Sequence, residues 1–188
     1  MRFAIDLPNL GEFGDPALSL DLAIEAEAAG WDGFFLWDHL ITGVPGPVTD
    51  PWVVMSALAV RTERIRFGPM VTPLARRRMT KLARETVALD HLSGGRLILG
   101  VGLGANDVAE FQDFGDAGDP VNRGRILDES LEVLADLWSG EAVAYEGEHL
   151  HVRAAGFLPP PLQQPRIPVW VAGLWPNKRP MRRAAAWD

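Results

Sequence analysis

Leu89-Asp90-His91-Leu92-Ser93-Gly94-Gly95-Arg96-Leu97-Ile98-Leu99-Gly100-Val101-Gly102 joins the end of a helix to the start of a strand. Helical spacing begins near Thr80 and runs to Leu92, where Ser93-Gly94-Gly95 ends it. Glycine takes the left-handed backbone that closes a helix C-terminus at little cost. Leu97 to Val101 is then a short apolar run of strand length. Upstream the same unit recurs. Phe3 to Leu7, Gly33 to Trp37 and Ile65 to Val71 read as the first three strands. Asp15-Pro16 and Asp50-Pro51 open the helices between them, with Asp as N-cap and Pro in the first turn. Leu20, Ala23, Ile24 and Ala28 mark one face of the first helix, and Gly30 closes it; the second runs to about Thr62.

Downstream, Asn122 is placed to cap a long helix with Leu127, Leu131, Leu134 and Trp138 on its inner face, and Gly140 stops it. A β-hairpin around Glu146-Gly147 interrupts the rhythm, followed by a proline-rich loop from Pro159 to Pro168. Val169 to Ala172 is a fifth strand, and Asn177 is placed to cap a last helix reaching Trp187. Strands alternating with helices imply a parallel sheet with right-handed crossovers. Two closures fit the pattern, an open doubly wound sheet or a barrel, and both put ligands at the carboxyl ends of the strands.

Bulk properties narrow the function classes. The chain has 188 residues, 47% of them apolar and 23% charged, as in an ordinary globular domain. A net charge of −7 argues against a nucleic-acid surface. There is no cysteine, which removes a disulfide framework, a thiolate nucleophile and a Cys-ligated metal. Asp6 interrupts any signal-peptide core, and no apolar run approaches the roughly 20 residues that span a bilayer. The expectation is a cytoplasmic protein with no membrane partner.

The strand ends hold the informative residues. After the second comes Trp37-Asp38-His39, an imidazole able to move a proton near neutral pH beside a carboxylate able to orient it. After the third comes Gly68-Pro69-Met70-Val71-Thr72-Pro73, where Gly and Pro bend or bulge the strand. After the fourth comes Gly102-Leu103-Gly104-Ala105-Asn106, whose glycines let backbone approach a flat ring or a phosphate. After the fifth come Ala172 and Gly173 with Asn177-Lys178, a helix start suited to an anion that Arg123 is placed to share. Taken singly, each has an equally ordinary reading as a cap, a packing residue or a surface charge. Arg76-Arg77-Arg78 reads as a solvated loop and His91 as a partner of its helix dipole. His149 and His151 share a strand face but lack a third ligand, so no metal is expected. No G-x-S-x-G elbow supports a hydrolase.

Together the motifs resemble the bacterial-luciferase-like flavin-dependent oxidoreductases. The resemblance rests on Trp37-Asp38-His39, Gly68-Pro69-Met70-Val71-Thr72-Pro73-Leu74, Leu92-Ser93-Gly94-Gly95-Arg96-Leu97 and Gly100-Val101-Gly102. Gly124-Arg125-Ile126-Leu127-Asp128-Glu129 and Pro168-Val169-Trp170-Val171-Ala172-Gly173 extend it over essentially the whole chain. It implies an α/β fold, a TIM-type (β/α) barrel with FMN or a deazaflavin (coenzyme F420) at the carboxyl ends of its strands. The implied activity is hydride transfer or oxygen activation on a small organic substrate, as an oxidoreductase or monooxygenase. The alternative is a non-catalytic flavin-binding or structural relative, or an inactive fragment. The resemblance maps His39 to the proton-transfer or ring-polarising group and Asp38 to its orienter. It maps Met70, Val71 and Thr72 to a turn behind the ring, often with a non-prolyl cis peptide, and Gly102, Leu103, Gly104 and Asn106 to the ring edge. Ala172 and Gly173 fall in the phosphate region, with Arg123 as a contributor.

Two departures stand out. Ala105 occupies a position where some members carry an acidic Glu. Only about five βα units plus the hairpin insertion are legible over residues 1–188, against eight units and about 250 residues in a full barrel. The chain therefore reads as one domain that stops before a sixth strand. Phe34, Leu36, Val169 and Val171 are then expected to be partly uncovered, and a homo-oligomer or a partner supplying further strands is expected.

Overall fold

Three Asp-Pro pairs start three of the helices that pack on the strands. The structure, a computed structural model, describes residues 1–41, 43, 45–105 and 110–188. Asp15 accepts a hydrogen bond from the Ala17 amide at 2.8 Å and opens α1 (Pro16–Ala28). Asp50 accepts from Trp52 and Val53 and opens α2 (Pro51–Arg61). Asp119 accepts from the Asn122 amide at 2.7 Å and opens α4 (Pro120–Trp138). The cap of this long helix is thus Asp119 and not Asn122, whose backbone is what gets capped. A proline needs no partner for a missing N–H, and the carboxylate before it satisfies one of the remaining donors. Gly94, with φ 64°, ends α3 (Met79–Ser93) in the left-handed region. Asn177 precedes α5 (Lys178–Ala186), but its side chain makes no capping bond.

The strands form two parallel sheets. β1 (Ala4–Leu7), β2 (Gly33–Leu36) and β3 (Arg66–Pro69) pair in sequence order. β4 (Thr72–Pro73), β5 (Leu99–Gly102) and β8 (Val169–Val171) form the second. A parallel bridge between Phe67 and Leu97 links the two. The third strand read from the sequence is therefore two, broken at a cis Met70–Val71 peptide. Gly68 and Gly100 let the broken strand lie against β5. A Cβ at Gly68 would stand 1.8 Å from the Ile98 carbonyl oxygen, and one at Gly100 would stand 2.1 Å from that of Pro69. β6 (Val143–Glu146) and β7 (His151–Ala154) are the antiparallel hairpin.

Alternation along the strands sorts side chains to two faces. Phe34, Leu36, Phe67, Leu99 and Val169 pack under the helices with Leu58, Leu82, Leu131 and Leu134. Phe34, Leu36 and Val169 are fully buried, so the expectation that they would be partly uncovered is overturned, whereas Val171 is half-buried as expected. The helices cover most of their face, with Ile5, Leu7 and Val171 partly buried at its edges. The opposite face is the open one: Phe35 and Trp170 stack there with ring centroids 5.3 Å apart, and Trp170 stays 40% exposed. Among the described residues the strands do not close on themselves, and no helix is long and apolar enough to cross a membrane.

The proline-rich loop is tied to α3. Asp90 accepts from the Leu162 and Gln163 amides and the Gln163 side chain, and His91 Nε2 donates to the Pro160 carbonyl at 2.8 Å. His91 is a tether for this loop. Buried Arg96 binds the far side, donating to carbonyls of Ala59, Thr62, Ile65 and Ser93 and so fixing the end of α2 to the approach of β5.

Candidate functional site

β2 ends at Leu36 and hands the chain to Trp37, Asp38 and His39. Neighbouring side chains in extended backbone point to opposite sides, and here they find different partners. Asp38 is buried, and its carboxylate accepts from Thr72 Oγ1 at 2.7 Å, Trp52 Nε1 at 3.2 Å, Arg77 at 2.6 and 2.8 Å and Arg76 at 3.1 Å. Arg76 also donates to the Asp38 carbonyl. None of these bonds reaches His39. The imidazole Nδ1 instead meets Glu110 Oε1 at 3.0 Å. The carboxylate on the imidazole is therefore Glu110 and not Asp38, because Asp38 is turned toward the arginines.

Glu110 is as buried as Asp38. Its Oε1 also accepts from the Leu40 and Ile41 amides at 2.6 and 3.2 Å, and its Oε2 accepts from Arg76 Nη1 at 3.1 Å. Burial alone would raise its pKa. The hydrogen bonds from His39, Leu40 and Ile41, with the charge of His39, outweigh burial and bring it down to about 2. Asn9, fully buried, holds the His39 backbone from both sides, accepting from its amide at 3.1 Å and donating to its carbonyl at 2.8 Å.

Arg76 and Arg77 thus join two buried carboxylates, with side chains only 4% and 21% exposed. The reading of Arg76-Arg77-Arg78 as a solvated loop holds for Arg78 alone. Two buried carboxylates need two cations, since an unpaired buried charge is prohibitively expensive.

A cavity of about 930 Å³ opens above this network, at the carboxyl ends of β2, β4, β5 and β8. Asp38, His39 and Glu110 form its polar corner, and Met70, Val71, Leu103, Gly104, Ala172 and Gly173 line apolar wall. Eight of the twelve candidate catalytic and cofactor-binding residues therefore meet at one site. The others lie elsewhere. Thr72 is buried, with its hydroxyl on Asp38. Gly102 is off the wall: a Cβ there would meet Val71 Cγ2 at 2.7 Å and Ala172 Cβ at 3.3 Å, so its bareness serves strand packing. Arg123 is 2% exposed, 4.0 Å over the Phe111 ring, and off the wall. Arg183 of α5 lines the cavity, donating to the Gly124 carbonyl at 2.9 Å and to Asp128. Asn106 lies outside the described residues.

On the hairpin, His149 comes together with Glu129 and Glu148, their ligand atoms within 4.8 Å. His151 pairs with Glu146 instead. Both Glu129 oxygens accept backbone N–H groups of Glu148, His149 and Leu150, which makes this carboxylate the clamp of the hairpin turn.

Comparison with known proteins finds relatives of this chain. A family model described as luciferase-like monooxygenase matches residues 7–186. An F420-dependent glucose-6-phosphate dehydrogenase of Microbacterium testaceum is 34% identical over 172 residues, covering 88% of this chain and 49% of the relative. The crystal structure of monooxygenase RslO1 from Streptomyces bottropensis superposes with TM-score 0.79 at 28% identity, over 90% of this chain and 53% of that one. An F420-dependent secondary alcohol dehydrogenase, in complex with an F420-acetone adduct, gives TM-score 0.85 at 21% identity, over 97% of this chain and 55% of that one. The chain spans about half the length of the relatives it matches.

Proposed function

The chain belongs to the luciferase-like monooxygenase family, and from that premise we propose that it is a flavin- or deazaflavin-dependent oxidoreductase acting on a small organic substrate. The observation that carries this reading is the cavity itself. Its apolar wall and the polar corner of Asp38, His39 and Glu110 suit a flat heteroaromatic ring, and its volume of about 930 Å³ suits a ring with a substrate beside it. Met70 and Val71 would back the ring, with Leu103, Ala172 and Gly173 along its edge. Arg183 and the N-terminus of α5 would attract a phosphate-bearing tail. We read the open parallel series as part of a TIM-type barrel, supported by its superposition on longer structures of this family.

The bound ring would supply hydride transfer, and the protein would supply position and electrostatics. His39 stands at the cavity with backbone and ring both held. A clamped imidazole is a group that takes or gives a proton at the substrate, without first paying the entropy of ordering itself.

Titration of the purified chain with coenzyme F420 and with FMN, followed by fluorescence, tests the reading. Saturable binding of one is expected, and binding of neither would sink it. His39→Ala should keep that binding and cost about 10²–10⁴-fold in turnover, the range of a general acid or base. Turnover equal to the parent would return His39 to a structural role.

A further inference from the structure

His39 has two ring nitrogens, and which one carries the proton decides what it can do at the cavity. Nδ1 faces Glu110 Oε1 at 3.0 Å. The groups that could set the tautomer are the charged side chains around it: Asp38, Arg76, Arg77 and Glu110. Asp38 is spent on Thr72, Trp52 and the two arginines. The arginines carry no acceptor, and they are spent on the carboxylates. Glu110 is left as the partner of the ring, and it is ionised: four donors converge on it, from His39, Leu40, Ile41 and Arg76. An ionised carboxylate only accepts. Nδ1 must therefore carry the hydrogen, which leaves the Nε2 lone pair bare in the neutral ring.

We infer that Glu110 is a positioning residue that locks His39 in the Nδ1–H tautomer, so that Nε2 is the atom that accepts a proton from substrate and returns it. Arg76 holds Glu110 in turn, through the same guanidinium that grips Asp38. The role of Nε2 in turnover rests on the proposed function above, whereas the tautomer does not.

The test separates the two. Two-bond ¹⁵N–¹H correlation spectra of the full chain report the tautomer of each of its four histidines, with His39 assigned by its loss in His39→Gln. The neutral His39 ring of the parent should be Nδ1–H. Because the oxygen facing Nδ1 also accepts from the Leu40 and Ile41 amides, a Gln would keep an acceptor there; in Glu110→Leu no acceptor faces Nδ1, so the ring should shift toward Nε2–H while His91, His149 and His151 keep their signals. Turnover should fall about 10²-fold, toward the His39→Ala level, with cofactor affinity changed less. A parent ring that is already Nε2–H overturns the inference, and that measurement stands even if the variant fails to fold. A folded Glu110→Leu with an unchanged His39 tautomer overturns it as well. If the tautomer shifts as expected while His39→Ala turns over like the parent, the positioning role survives and the catalytic reading of His39 falls.

Discussion

Asp38 shows how tightly a single residue at this site is committed. Its carboxylate, 1% exposed, holds Thr72, Trp52, Arg76 and Arg77 at once. Removing it strands the Arg77 guanidinium and leaves Arg76 with Glu110 alone, so Asp38→Ala should destabilise the chain by about 3–5 kcal/mol in denaturant unfolding, as breaking a buried pair does. A loss under about 1 kcal/mol would mean that the network is worth no more than a surface ion pair. Glu110 adds a pH signature. Its carboxyl falls from 4.5 to about 2 on folding, despite the opposing effect of burial, because His39 and the Leu40 and Ile41 amides bond it. A pKa lowered on folding stabilises above the unfolded value and ceases to as pH falls through the folded one. The deficit of Glu110→Gln relative to the parent should be full near neutral pH and shrink between 4.5 and about 2; a deficit flat across that window would contradict the assignment. Strand-end logic was enough to find Asp38 and His39. It was blind to Glu110 and Arg76 because their partners lie 71 and 34 residues away, and no local pattern carries such a pairing. Arginine's usual fate on the surface pulled the reading of Arg76 and Arg77 the wrong way.

At the scale of elements, the helix starts and the βα order were legible because they are local. An Asp-Pro pair carries its whole mechanism in two adjacent residues, and Asp15 and Asp50 behave as their sequence says. The long helix misled because Asn122 is a good cap residue standing three positions after a better-placed one, Asp119. Gly102, at the end of β5, misled for a different reason. Bareness looks the same in sequence whether it makes room for a ligand or for a neighbouring strand, and only the fold shows which atom fills the gap. At Gly68 and Gly100 that atom is a backbone oxygen, which cannot rotate away. Gly68→Ala should therefore cost at least about 3 kcal/mol, the upper end of overpacking penalties, and broaden the unfolding transition. A variant that melts with the parent would show that the two strands can part without loss. Gly102→Val, by the same geometry, should weaken the fold along with any binding, since Val71 and Ala172 already occupy its space.

For the whole molecule, the decisive asymmetry is between two faces of one parallel series. Helices cover the outer face, and the inner face carries Phe35 and Trp170, the latter 40% exposed, beside a cavity of about 300 Å³. Among the described residues β1 and β8 each have a strand on one side only, and such edges favour association. The chain should self-associate with rising concentration in light scattering, and its melting temperature should climb with it, because association favours the folded form. A monodisperse chain whose melting temperature ignores concentration would show that this face is stable in water. Trp170 also makes the face visible to spectroscopy. Its indole stacks on Phe35 and borders water, so the difference in emission between the parent and Trp170→Phe isolates one reporter among seven tryptophans. Whatever covers the inner face must dry that indole and move its emission to the blue, so the colour of a single side chain tells whether the molecule has found the surface it leaves open.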